Sequence, residues 1–221
     1  MKEFIKRIPI LGSIARKIYG LLFNYFDRFP GSENYWIRRY NSGGDSGQGS
    51  SGQLADFKAE IINRFVKERN ISTIIEYGCG DGRQLKLSDY PNYIGFDVSP
   101  KALSLCQTIF SDDKTKAFKF INEYNGERAQ LTLSLDVIYH LVEDDIYYSY
   151  MERLFNSSEE YVIIYSSNYE EVQNNHERRR QFTTWVEKNQ PNWKLIRQIP
   201  NRFPYRGEVG SLSDFYIYRK M

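Results

Sequence analysis

The sequence predicts an α/β fold: a seven-stranded, mostly parallel sheet with helices on both faces and an antiparallel pair as its last two strands. Three observations predict it. From Ile71 onward, apolar β-branched runs alternate with amphipathic segments. A glycine-rich turn, Glu76-Tyr77-Gly78-Cys79-Gly80-Asp81-Gly82, follows the first run. Asp97 then ends the second run. A strand, a glycine turn and an acid one strand later make a nucleotide-binding half of a Rossmann-like sheet.

The chain divides into three stretches. Residues 1–29 carry Phe4, Ile8, Leu11, Ile14, Ile18, Leu22 and Tyr25 at helical spacing, with Lys2, Lys6, Arg16 and Lys17 on the other side. A basic, aromatic-bearing amphipathic helix fits a membrane interface, and it equally fits packing on its own domain or on a partner. Residues 30–53 join an aromatic segment, Tyr35 to Tyr40, to a Gly/Ser-rich stretch, Asn41 to Gly52. By composition that stretch is a linker; by position it is a lid over a ligand. Residues 54–221 form the ligand-binding domain. A helix over Leu54–Arg69 opens it. Strands are expected at Ile71–Tyr77, Tyr93–Val98, Ala117–Ile121, Leu131–Asp136, Tyr161–Ser166, Lys194–Ile199 and Phe215–Arg219. Helices are expected at Gly82–Ser88, Pro100–Phe110, Glu143–Phe155 and Val172–Asn189. Ser99-Pro100 is a cap followed by proline at the first helical position. The last two strands have only a loop between them, so they must run antiparallel.

At 221 residues the chain can bury a substantial core. A net charge of +2 gives no electrostatic case for nucleic acid. With 18 Tyr and 14 Phe, much aromatic surface must lie in core and pocket walls. The two cysteines, Cys79 and Cys106, suit a reducing compartment better than a disulfide framework. There is no zinc-type spacing, and no metal is expected. No run is long enough to span a bilayer, and Arg16 and Lys17 break the stretch a signal peptide would need. A cytoplasmic protein, peripheral to the membrane at most, is expected.

The glycine turn identifies the ligand. A dinucleotide needs G-x-G-x-x-G and a helix N-terminus facing pyrophosphate. Here the spacing is G-x-G-x-G, Glu76 precedes it, and Asp81 stands inside it. Carboxylates repel a diphosphate and suit a ligand bearing an ammonium and a sulfonium, as S-adenosylmethionine (SAM) does. Glu76 is placed to meet the ammonium, Asp97 the ribose hydroxyls, and Gly78, Cys79, Gly80 and Val98 the close approach of backbone to ligand. Ser134, Leu135 and Asp136, on the strand beside the first, are expected at the methionine end.

His140 lies just beyond and is the preferred general base, unless it is simply a packed histidine. In Asn175 to Phe182, His176 and Arg180 would share one helical face, with His176 the second candidate base. Arg178 and Arg180 would clamp an anionic acceptor, unless the run is a solvated basic face. Tyr40 and Tyr205 complete the expected acceptor contacts.

These residues resemble the class I SAM-dependent methyltransferases: the E-x-G-C-G-D-G turn at 76–82, Asp97, and S-L-D-V-I-Y-H-L at 134–141. A closer resemblance runs through Trp36, Tyr40-x-Ser-Gly-Gly-x-Ser-Gly-x-Gly-Ser and His176 to Val186. It is similar to a bacterial methyltransferase-domain group found with surface-polysaccharide genes. The resemblance implies SAM as cofactor and a small-molecule or glycan acceptor, with O-methylation of a sugar hydroxyl or phosphate-type group. The alternatives are N-methylation, another small molecule, or a silent membrane-tethered scaffold. An acid that reads adenine after the third strand has no clear equivalent; Asn122 or Glu123 is nearest.

Overall fold

The seven expected strands all form. In the computed structural model, which describes residues 29–171, 176–207 and 209–221, they are β1 (Thr73–Tyr77), β2 (Asn92–Asp97), β3 (Lys116–Phe120), β4 (Ala129–Leu135), β5 (Ser158–Ser166), β6 (Trp193–Ile199) and β7 (Asp214–Lys220). Their order across the sheet is β3-β2-β1-β4-β5-β7-β6. β1 to β5 run parallel, while β7 is antiparallel to both β5 and β6. The order reverses between β1 and β4, so the carboxyl ends of those two strands open the crevice where α/β sheets bind ligands.

Five α-helices accompany the strands among the described residues: α1 (Ser32–Asn41), α2 (Gly52–Glu68), α3 (Pro100–Ile109), α4 (Asp144–Asn156) and α5 (Phe182–Asn189). Alternation along the strands divides the core into two layers. Ile74, Leu131, Leu133, Ile163 and Ile217 face α2 and α3 through Phe57, Ile61, Phe65 and Leu103. Ile75, Tyr77, Phe96, Val162, Ile164 and Tyr218 face α4 and α5 through Met151, Leu154, Phe155 and Phe182. The central strands β1, β4 and β5, largely buried on both faces, read as nearly continuous apolar runs.

Three helical expectations change. Residues 82–88 form no α-helix, only a single tight 3-10 turn at Leu85–Leu87. The last expected helix starts at Phe182, and residues 176–181 are irregular, so His176 and Arg180 share no helical face. α1, over the aromatic segment, was not anticipated. At α3 the signal held: Ser99 accepts a hydrogen bond from the Ala102 amide, with Pro100 in the first turn.

Residues 31–221 make one compact unit. The amphipathic reading of residues 1–29 falls almost wholly outside the described residues. Among those described, no helix is long and apolar enough to cross a membrane.

Candidate active site

A cavity of about 340 Å³ opens at the β1/β4 crevice. All nine residues expected at the cofactor line it: Glu76, Gly78, Cys79, Gly80, Asp97, Val98, Asn122, Leu135 and Asp136. The geometry of the turn is set by its own hydrogen bonds. The Gly78 and Cys79 amides donate to the Phe96 carbonyl at 2.7 and 3.1 Å. The Gly80 amide donates to Asp97 Oδ2 at 2.9 Å. Gly78 and Gly80 sit at φ +81° and +59°, and a Cβ would stand 2.6 Å from Val137 Cγ2 and 2.4 Å from Ser46 Oγ, respectively. Only glycine satisfies both the backbone and the contact there.

Glu76 is buried, with Oε2 accepting from the Tyr93 hydroxyl at 2.7 Å. Burial raises its carboxyl to about 7, against the pull of Tyr93 and Lys58. Asp97 is also pushed up by burial, opposed by amide hydrogen bonds. Its Oδ1 accepts from the Ser99 amide at 2.8 Å. A cationic ligand would draw both groups toward the ionised form.

The Gly/Ser-rich stretch is not an open linker. It folds against the turn. Ser46 donates its amide to Asp81 Oδ2 at 3.1 Å, and the Asp81 amide donates to Ser46 Oγ at 3.2 Å. Tyr40 Oη and Ser46 Oγ are 2.8 Å apart. Arg39 Nε donates to the Asp45 carbonyl and Arg83 Nη1 to Asp45 Oδ2, at 2.6 and 2.7 Å. Asp81 thus anchors this loop instead of facing the ligand. Tyr40, expected at the acceptor, lines the cavity beside Gly80.

The cavity also holds a polar cluster that the sequence reading missed. Lys58, 1% exposed, donates to Asp136 Oδ2 at 2.8 Å. The hydroxyls of Tyr139 and Ser213 donate to Asp136 Oδ1 at 3.2 and 3.0 Å. Asp136 itself has φ +59°, a strained conformation for a residue with a Cβ. The signal was present: Lys58 sits on the same helical face as Leu54 and Ile61, a charge where an apolar residue belongs. Trp36, Ser50, Ile146, Ser149, Tyr150 and Arg153 also line the cavity without having been anticipated.

His140 lines the cavity and is buried. Burial depresses its imidazole to about 4. His176 does not reach the cavity; it stacks on His140 with ring centroids 5.3 Å apart. Arg178, Arg180 and Tyr205, expected at the acceptor, are not among the residues that line this cavity. Arg180 donates to the Leu141 and Val142 carbonyls and pairs with Asp144. Arg178 donates to the same Val142 carbonyl and pairs with Asp144. These guanidiniums tie residues 178–180 to the loop after β4, so the basic run serves the fold. Tyr205 is half exposed and donates to the Gly207 carbonyl within its own loop.

No family model matches the chain, and no curated protein matches it by sequence. Solved structures do match. The methyltransferase domain of bacterial CtHen1 aligns at TM-score 0.60 and 18% identity, over 76% of this chain and 99% of that one. The N-methyltransferase NodS of Bradyrhizobium japonicum, in complex with S-adenosyl-L-homocysteine (SAH), aligns at 0.64 and 11% identity, over 86% and 98%. The magnesium protoporphyrin IX methyltransferase ChlM of Synechocystis, with bound SAH, aligns at 0.60 and 11%, over 92% and 100%. The architecture of this chain is the class I SAM-dependent methyltransferase fold.

Proposed function

We propose that this protein is a methyltransferase that uses SAM and methylates an oxygen acceptor. One observation carries the reading: the amides of Gly78, Cys79 and Gly80 are bonded to Phe96 and Asp97 within the chain. A diphosphate-binding turn aims such amides at the ligand and backs them with a helix N-terminus. This turn does neither, because only a short 3-10 turn follows it. Buried carboxylates at Glu76 and Asp97 face the cavity instead.

In this reading Glu76 holds the methionine ammonium and Asp97 holds the ribose diol. Ile121, Asn122 and Val98 bracket the adenine. The loop at 42–51, latched through Asp45, Ser46 and Asp81, closes over the bound cofactor. SAM supplies a methyl group on a sulfonium that is already an activated leaving group. The chain's part is to align the nucleophile, which alone is worth roughly 7–11 kcal/mol in well-oriented systems. Lys58, Asp136, Trp36 and His140 shape the place where that nucleophile sits. Burial keeps His140 neutral, with its imidazole near 4, so it is too weak a base to ionise an unactivated alcohol.

The glycan acceptor rests on the sequence resemblance at 36–50 and 176–186. Structural neighbours named for small RNA and for N-methylation share the fold with different acceptors, so architecture does not choose among them. The test is transfer of label from methyl-labelled SAM into the surface-glycan fraction of a strain lacking this protein. Wild-type protein should label it, and Asp97→Ala should not. Label appearing only in another fraction would reassign the acceptor; no SAM-dependent label in any fraction would contradict methyl transfer.

A further inference from the structure

Two histidines 36 residues apart in sequence meet beside the cavity. The His140 Nδ1 lies 3.3 Å from the His176 carbonyl. A carbonyl can only accept, so Nδ1 carries the proton and Nε2 is left with a lone pair. His176 Nδ1 is buried and has no hydrogen-bond partner. Glu177 follows directly in the chain. One ligand atom from each of His140, His176 and Glu177 lies within 4.8 Å of the others.

We propose that His140, His176 and Glu177 bind one divalent first-row transition-metal ion at the acceptor end of the cavity. Two imidazoles and one carboxylate suit Zn²⁺, Co²⁺ or Mn²⁺ and not Mg²⁺ or Ca²⁺, which require mainly oxygen. Tetrahedral metal–ligand bonds of about 2.0–2.1 Å hold ligand atoms roughly 3.4 Å apart, so a spread of up to 4.8 Å must close by roughly 1.4 Å when the ion binds. The imidazoles are nearly parallel, at 8°, so one must turn to aim its lone pair at a shared point. His176, half-buried, also stacks on Tyr35 with ring centroids 4.2 Å apart, so its turn must slide out from between the Tyr35 and His140 rings. Arg179 engages Glu177 through Oε2 at 2.6 Å, and the second carboxylate oxygen serves the ion. The hydrogen bond from His140 to the His176 carbonyl is the outer contact that fixes a ligating imidazole's tautomer.

The chemical consequence rests on the methyl-transfer reading; the binding of the ion does not. Three protein ligands leave open positions, and His140 borders the cavity. An acceptor hydroxyl oxygen taking one of them becomes more acidic and releases its proton to water. Its lone pair then forms the O–CH₃ bond as the S–CH₃ bond breaks, and that bonding pair stays on sulfur to give the neutral thioether.

The experiment titrates the full chain with Co²⁺, Zn²⁺ and Mg²⁺ by calorimetry and follows Co²⁺ by its visible absorption. We expect one Co²⁺ or Zn²⁺ per chain and no comparable Mg²⁺ binding. His140→Ala and His176→Ala should each weaken Zn²⁺ binding by at least the roughly 10–100-fold that losing an outer contact costs. His176→Ala removes a half-buried ring, so it keeps the test valid where His140→Ala disturbs the core. Zn²⁺ affinity unchanged in both variants, or absent from wild type, overturns the site and leaves an aromatic stack. An SAH titration of the same samples separates the claims: SAH bound without metal sinks this site alone, and metal bound without SAH sinks the functional reading alone.

Discussion

Replacing Asp97 by alanine is expected to weaken SAM binding by about 100-fold or more. The ribose diol would donate two hydrogen bonds to this carboxylate, each worth about 1.5–3 kcal/mol when the acceptor is charged. The substitution also releases the Gly80 amide from Oδ2 and the Ser99 amide from Oδ1. It therefore loosens the glycine turn and the start of α3 together, at about 1–3 kcal/mol for buried donors left unpaired. Asp97→Asn separates the two effects, because its carbonyl oxygen restores one acceptor without the charge. Calorimetry reads affinity and a thermal melt reads the fold. An Asp97→Ala protein that melts cooperatively and binds SAM within about threefold of wild type would exclude the ribose contact.

Lys58→Ala is expected to cost about 3–5 kcal/mol of stability, the usual penalty for breaking a buried ion pair from one side. Lys58 is 1% exposed, and Asp136 would keep its charge with only the Tyr139 and Ser213 hydroxyls to balance it. The ammonium also lies over the Tyr165 ring, 5.3 Å from its centroid, so shape is lost along with charge. Replacing both partners, Lys58→Met with Asp136→Asn, should recover much of the loss, since the desolvation cost disappears with the pair. Denaturant unfolding measures this. A loss under about 1 kcal/mol for Lys58→Ala would place the pair among weak surface bridges.

The central strands β1, β4 and β5 were legible because they are largely buried on both faces and read as apolar runs. The edge strands β3 and β6, partly or mostly exposed, carry lysines and arginine between their apolar residues. The lining of the crevice was legible because glycines and acids at a strand end have few other uses. What the sequence hid was made by tertiary contact. The stretch after Gly82 looked helical, yet the turn needs left-handed backbone at Gly78, Gly80 and Gly82, and only a tight 3-10 turn fits before β2. Asp81 looked like part of the ligand's electrostatics, and its partners are Arg83 and, 35 residues away, Ser46. Arg178 and Arg180 looked free to hold an anion because no sequence pattern reveals that the Leu141 and Val142 carbonyls take their donors. Lys58 was visible as a charge on an apolar face, but its partner Asp136 lies 78 residues away. The pairing of His140 with His176 has no local signature at all.

The cavity's preference for a cationic sulfur ligand over a diphosphate is tested most directly by titrating wild-type protein with SAM, SAH and NAD across pH. Saturable binding of SAM and SAH at one site is expected, with no heat from NAD. SAM affinity should weaken as pH falls through about 7, where Glu76 takes up its proton. Saturable binding of NAD in this cavity, or no binding of SAM at any pH, would contradict the account.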